Sequence, residues 1–413
     1  MQDQPSPPAA STAASRRASL MGAIFLMATS AIGPGFITQT ATFTIKFGAA
    51  FAFAILVSIL IDFVVQLNIW RIVTLTRMRA SDIANAAIPG TGYALAVLVI
   101  VGGLFFNIGN IAGTGLGLNA LMGLDPKLGG AVSALLSIAI FLSRRAGVAL
   151  DRLIVIAGLM MIALTLFVTY TSAPPLGEAL RQTILPDTID FPAIITIVGG
   201  TVGGYITYAG AHRLLDKGIV GIERLAEVNR AALTGIAVTG VMRYVLFLAV
   251  LGVVAGGVAI DLTGATANPA AQAFEASAGQ LGLRIFGVVL WAAAITSVIG
   301  AAYTSVSFIT VFKKDITERG RNFATVAFIA LSLVSYVLVT TPPATMLVFV
   351  GGLNGLILPI GLTIFIYAAW ARSDLMSGYR YPRWLLALGV SACALTWYMA
   401  YASFGPIFAM LTG

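Results

Sequence analysis

The sequence predicts an all-α integral membrane protein of eleven transmembrane helices, with the first and sixth interrupted at mid-membrane. Three observations carry that prediction. Hydrophobic residues make up 59% of the 413-residue chain and charged residues only 10%, with a mean hydropathy of +0.96, whereas soluble domains are about half apolar and a quarter charged. Eleven apolar stretches are long enough to cross a hydrocarbon core, where only helices and closed barrels satisfy the backbone. The first and sixth stretches carry Gly and Pro clusters at their centres, where a helix loses hydrogen bonds and stiffness.

The elements follow in order. Residues 1–18 are rich in Pro, Ser, Ala and Thr and are expected to form a disordered cytoplasmic tail. Arg16-Arg17 before an apolar stretch superficially resembles a signal peptide, but the apolar run continues through Gly33-Pro34-Gly35 to Ala50 with no small-x-small cleavage site. Spans are predicted at 19–46, 50–73, 91–123, 129–146 and 153–173, then at 191–212, 231–257, 283–312, 322–340, 344–370 and 382–411. No polar linker divides them, so one continuous membrane domain is expected. Residues 19–173 and 191–370 form two five-span halves, and an odd number of crossings inverts the second half relative to the first. The span at 382–411 stands outside both halves.

Charge orients the bundle, because loops rich in Lys and Arg stay cytoplasmic. With the N terminus inside, nineteen Lys and Arg residues face inward, and only Lys46, Lys127, Arg181 and Arg284 face outward. That asymmetry would reverse if an early span were added or lost, so it supports the count as well as the direction. It places the chain in the cell (inner) membrane with the C terminus outside. The net charge of +8 is thereby topological, which suits loops beside anionic lipid and excludes nucleic acid as a partner. Cys393 is the single cysteine and His212 the single histidine, so no disulfide framework or Cys/His metal site is available. The HExxH, Walker A and GxSxG patterns are absent, which argues against an embedded protease, ATPase or lipase. His212, at the end of span six beside Arg213, is expected to anchor the interface. No enzyme activity and no cofactor are expected.

Span one reads ATSAIGPGFITQTATFTIKFG, and span six reads IITIVGGTVGGYITYAGAHRLL with Gly199, Gly200, Gly203 and Gly204 at similar depth. Glycines of this kind also permit close helix packing. Matched interruptions in corresponding spans of two halves point instead to an inverted-repeat transporter with its site at the midplane. A break frees amide donors at one half-helix end and carbonyls at the other, so ions or polar groups can be held without charged side chains. No acidic residue lies in either break.

At these residues the chain resembles the natural resistance-associated macrophage protein (NRAMP) family, divalent-metal transporters of the LeuT-like fold within the amino acid, polyamine and organocation superfamily. The likeness extends over about residues 20–410. It includes VVQLNIWRIVTLTRMRASDIA at 64–84, with Gln66, Arg71, Thr74 and Asp82, together with LWAAAITSVIGAAYTS in span eight and NGLILPI at 354–360 in span ten. The resemblance implies a LeuT-like inverted 5+5 repeat plus an eleventh helix, with spans one and six unwound. It also implies Asp and Asn metal ligands from a DPGN turn in span one and Met from an MPH turn in span six. Here Gly33-Pro34-Gly35-Phe36 and Gly203-Gly204-Tyr205 stand at those places. The three ligands are missing.

A divalent ion in low dielectric requires charge neutralisation and several hard or borderline ligands. The two breaks offer apparent volume at Gly203 and Gly204 without charge, which suits a small organic solute. Gly33, Gly35, Phe36, Ile37 and Gln39 in span one, Gly203, Gly204, Tyr205 and Tyr208 in span six and Asn354 in span ten are the expected substrate-binding residues. The amides of Gly35, Phe36 and Ile37 would cradle a carboxylate while the aromatic rings wall the site.

Coupling candidates follow. Asp62, in span two, is the acidic residue placed at mid-membrane, where ionisable groups are functional by default. Arg243 lies at similar depth in span seven, so proton relay by Asp62 and a structural Asp62–Arg243 pair are both open. Asn107 and Asn110 share a face of span three, where metal-transporting relatives could carry acidic coupling residues, and interhelical hydrogen bonding is the simpler role. Thr296 and Ser297 can bond their own helix, and the resemblance also places them near the Na⁺ site of sodium-coupled relatives. The expected function is secondary active transport, with H⁺ or Na⁺ as coupling ion, of an amino-acid-like or cyclic carboxylate. The resemblance suggests 5-oxoproline as an example. Divalent-metal transport through a rebuilt site and a non-transporting sensor are the alternatives. The expected partners are a small-molecule substrate and the bilayer, and the sequence is compatible with a monomer.

Overall fold

The computed structural model describes residues 32–412 except 265 and 314, and gives the backbone but not the side chains of 144–154 and 412. The tail at 1–18 and the first part of span one at 19–31 lie outside the described residues. So do Arg16, Arg17, Lys314 and the side chains of Arg144, Arg145 and Arg152.

Every regular element among the described residues is helical. Span one continues as α1 (Pro34–Phe47), which a short 3-10 turn joins to α2 (Phe51–Thr76). A short α3 (Ala80–Ala87) precedes α4 (Thr91–Met122), α5 (Pro126–Leu142) and α6 (Arg144–Ser172). A second short helix, α7 (Leu176–Ile184), leads to α8 (Phe191–Thr201) and α9 (Ile206–Asp216), the two parts of span six. The chain closes with α10 (Leu225–Ala255), α11 (Pro269–Ser307), α12 (Glu318–Leu338), α13 (Pro343–Ala371) and α14 (Arg383–Thr412). Nine helical stretches among the described residues are long and apolar enough to cross a membrane. One of them, Pro34–Thr76, joins two predicted spans, and Pro126–Leu142 is a shorter apolar helix.

Boundaries differ from the sequence reading where capping outweighs hydropathy. Span four starts at Pro126 rather than 129, because the Asp125 carboxylate accepts from the Leu128 amide at 3.0 Å and Pro126 fits the first helical position. Asp190, Asn268 and Thr317 open α8, α11 and α12 in the same way. The α11 helix begins fourteen residues before the predicted 283 and bends at Gly279, whose φ of +62° suits glycine. Its first part, PAAQAFEASA, is too polar to read as a span. The loop helices α3 and α7 were missed for the same reason.

Outside the bundle, α7 carries a small acidic brace. Arg181 donates to both Glu178 and Asp187, and these bonds with Gln182 hold the Glu178 carboxyl down from 4.5 to about 2. The folded value is the depressed one, so the Glu178 contribution to the brace is complete above about pH 4.5 and lost as pH falls through about 2. The Glu178 carboxyl is expected to titrate near pH 2 by NMR. A midpoint near 4.5 would show an unformed brace.

Glycine sets the spacing at the centre. A Cβ on Gly113 of α4 would lie 2.3 Å from Pro34, and one on Gly117 would lie 2.6 Å from the Trp291 amide of α11. Only a residue without a side chain lets these helices meet so closely. The contact at Gly113 holds the start of α1 against the bundle core.

Candidate functional site

Span six is two helices separated by Val202–Tyr205, with Gly204 at φ +54°. In span one, Ile32 and Gly33 are non-helical and α1 begins at Pro34, its Gly33 cap extended and lacking a side-chain bond. The start of α1 therefore presents first-turn amides with no intrahelical acceptor. Ile37 differs from Gly35 and Phe36, because its N–H already donates to the Gly33 carbonyl at 3.3 Å. It supplies no free donor to a cradle.

The space expected above the span-six glycines is filled. Positions for a Cβ on Gly204 and Gly200 lie 1.9 Å from Asn354 Oδ1 and 2.4 Å from Gln39 Oε1. A Cβ on Gly203 would meet the Gly199 carbonyl at 2.5 Å, and one on Gly199 the Gly351 carbonyl at 2.0 Å. The glycines thus serve close packing of α8 and the break against α13 and α1. The α13 half of this contact is signalled in the sequence by Gly351 and Gly355, a small-xxx-small pair.

Two side-chain amides flank the break. Gln39 Nε2 donates to the Leu347 carbonyl at 2.9 Å, leaving Oε1 buried without a partner. Asn354 Nδ2 donates to the carbonyls of Val350 and Gly102, and its Oδ1 is likewise unpartnered. Buried acceptors of this kind are costly unless something completes them. Tyr205 is fully buried, stacks edge-on against Phe106 at 5.4 Å and turns its hydroxyl toward Asn110, without either group completing a hydrogen bond. Tyr208 packs on Phe308, Phe365 and His212. The second half of span six is clamped to α2, where Thr207 donates to Gln66 and Trp70 donates to the Thr207 carbonyl at 2.9 Å.

The coupling candidates divide. Asp62 and Arg243 are both buried, and each is the charged neighbour that acts on the other. No salt bridge joins them among the described residues. Of the two open roles, the direct Asp62–Arg243 pair is not formed among the described residues. One Asp62 oxygen has no partner, and Arg243 lies with its guanidinium 4.3 Å from the Phe36 ring centroid. Asn107 donates to Ser332 at 3.1 Å, an interhelical bond, while both polar atoms of Asn110 are unpartnered. Thr296 and Ser297 donate to carbonyls of Ala292 and Ala293 in their own helix. His212 is buried rather than interfacial, since its Nε2 accepts from the Ala80 amide and its Nδ1 lies 3.4 Å from Ser307. Neither partner is near it in sequence, so no local pattern could have placed it.

Cavities reach inward from both ends of the bundle. One of about 490 Å³ is lined by Ala209, His212, Thr304 and Ser307, and touches the second half of span six. Another of about 290 Å³ lies at the opposite end, between Pro126, Tyr336 and Met346.

Helices of this length around a broken span, with buried polar groups at the break, define a membrane transporter. The fold is similar to that of the Eremococcus coleocola manganese transporter, with a TM-score of 0.76 and 14% identity over 99% of this chain and 91% of that one. It is also similar to MhsT in complex with L-phenylalanine, with a TM-score of 0.65 and 15% identity over 95% and 98% of the two chains. These likenesses establish the LeuT-like fold. The Bacillus subtilis membrane protein YcsG is 52% identical over 370 residues, 90% of each chain. The model of natural resistance-associated macrophage protein-like sequences matches residues 24–404, and the chain belongs to that family of transporters.

One expectation follows for the start of α1. A Cβ on Gly35 would lie 3.4 Å from Gln39 Nε2 and 3.7 Å from the Leu347 carbonyl, so alanine fits and a larger side chain fills the turn. Gly35→Leu should abolish substrate binding while Gly35→Ala retains it. Unchanged affinity in Gly35→Leu, measured by titration of the purified protein, would move the site elsewhere.

Proposed function

We propose that this protein is a secondary active transporter, driven by H⁺ or Na⁺, that moves a small organic solute bearing a carboxylate rather than a metal ion. The observation that carries the reading is the chemistry of the break. Gly33, Phe36 and Gly203 stand where the family's metal ligands would be, and the unsatisfied buried groups that touch the break include the neutral amide oxygens of Gln39 and Asn354, with no acidic residue in either break. Amide oxygens suit an N–H donor of the solute, and the first-turn amides of α1 suit its carboxylate. Phe36 and Tyr205 supply apolar walls. A protein of the same fold, MhsT, holds L-phenylalanine, so the architecture is compatible with such a ligand.

Metal transport is the second reading, favoured by family membership and by the likeness to a manganese transporter. Its difficulty is charge. Two neutral oxygens and backbone carbonyls leave a dehydrated divalent ion without the carboxylates that ordinarily offset its desolvation.

Coupling is assigned to Asp62 for protons, with the Thr296 and Ser297 region as the sodium alternative. The orientation follows the charge asymmetry, with the N terminus cytoplasmic and the C terminus outside the cell membrane. A monomer suffices for this scheme. Thermal denaturation of the purified protein with L-alanine, L-proline, 5-oxoproline, Mn²⁺ and Mg²⁺ tests the ligand class. Ligand at a hundred times its dissociation constant adds about 2.7 kcal/mol, so a carboxylate is expected to raise the transition temperature and the metals to leave it unchanged. Stabilisation by Mn²⁺ alone would reverse the assignment.

A further inference from the structure

Arg243 is a buried cation that touches both broken spans, and its geometry differs from that of a residue kept only for charge balance. Three features define it. Its Nη1 donates to the Ile197 carbonyl at 3.2 Å, in the C-terminal half of α8, a carbonyl that also accepts from the Thr201 hydroxyl. Its guanidinium sits 4.3 Å from the ring of Phe36, in the first turn of α1, an arrangement that holds the planar group in place. Its Nε and Nη2 are buried with no hydrogen-bond partner, on a side chain only 2% exposed. Nε and Nη2 form one edge of the guanidinium, the fork that binds a carboxylate through two parallel bonds.

An unpartnered buried guanidinium edge is expensive. Asp62 does not complete it, because no salt bridge joins the two residues among the described contacts. Asp62 therefore leaves the hydrogen-bonding edge available. The first-turn amides of α1 and the guanidinium beside Phe36 thus bring two positive features together at one break.

We infer that Arg243 is the substrate-carboxylate receptor, binding the anion through Nε and Nη2 together with the start of α1, and so selects organic acids over their neutral amides and over cations. The inference rests on the organic-carboxylate reading of the site and names the residue that enforces it. Arg243 then has a binding role in place of a direct pair with Asp62, and Phe36 orients it by lying against the guanidinium.

The test compares 5-oxoproline and L-proline with their carboxamides, as uptake into proteoliposomes by the full-length protein. Variants are Arg243→Lys, Arg243→Gln and the double variant Asp62→Asn/Arg243→Gln. The double variant matters because Arg243→Gln alone strands a buried carboxylate and can fail to fold. Wild type is expected to prefer an acid over its amide. The double variant, monodisperse in detergent, is read by substrate exchange between equal compartments, which Asp62→Asn alone is expected to keep. It should lose acid exchange by about 30-fold or more, as removal of one partner from a buried charge-assisted pair does, and lose the preference with it. Arg243→Lys should keep part of the preference, since it retains the charge but not the fork. Wild-type acid preference persisting in the folded double variant would overturn the role of Arg243 and leave the carboxylate reading standing. Wild type taking up none of the acids while transporting Mn²⁺ would overturn both.

Discussion

Substituting Gly204 by alanine is expected to abolish transport. Gly204 holds φ +54°, a conformation costing an L-residue about 1–2 kcal/mol. The new methyl would lie 1.9 Å from Asn354 Oδ1, itself pinned because Asn354 Nδ2 is bonded to the Val350 and Gly102 carbonyls. Relief requires breaking those bonds or straightening Val202–Tyr205, and overpacking of this kind adds about 1–3 kcal/mol. The combined penalty falls on the segment that separates α8 from α9, so the site distorts before the bundle unfolds. Uptake in proteoliposomes should fall to background, while a detergent-purified sample remains helical by circular dichroism. Wild-type uptake by Gly204→Ala would mean that the break is not part of the transport path.

Neutralising Asp62 has the next largest expected effect. Asp62 is buried in α2 with one carboxylate oxygen unpartnered and Arg243 as the charged group acting on it. An acidic group so placed is either a carrier of the coupling proton or a counter-charge. The two roles separate experimentally. If Asp62 carries the proton, Asp62→Asn loses gradient-driven accumulation but keeps substrate exchange between equal compartments, because the site still binds and reorients. If it is only a counter-charge, Asp62→Asn strands Arg243, lowers stability by about 3–5 kcal/mol and leaves accumulation by the surviving protein intact. Loss of accumulation with retained exchange is the expected result. Retained accumulation under an imposed proton gradient would remove Asp62 as an obligatory carrier.

The apolar spans were legible because hydropathy and the positions of Lys and Arg are one-dimensional signals. Their helix ends were legible only in part: the start after Asp190 was placed at 191, but Asp125 and Asn268 announce starts that a hydropathy window passes over. Glycine was harder to read. At Gly199, Gly200, Gly203 and Gly204 the sequence shows an absence of side chains, which serves a cavity and a tight contact equally. Only the three-dimensional position of Gln39 and Asn354 reveals that these side chains occupy the space. Arg243 was legible only in part for a related reason. Its depth matches that of Asp62, which left a direct pair and a proton relay both open, and only the ring of Phe36 and the carbonyl of Ile197 show where the guanidinium is held. Those contacts join residues from three helices, and no spacing along the chain encodes them.

The central claim is that the family's architecture is retained while its metal chemistry is replaced by recognition of an organic acid. Uptake by the purified protein in proteoliposomes tests this most directly, with parallel panels of Mn²⁺, Mg²⁺ and small carboxylates under imposed proton and sodium gradients. Saturable, gradient-driven uptake of at least one carboxylate and none of either metal is the expected result. Saturable Mn²⁺ or Mg²⁺ uptake that no organic acid competes with would contradict it.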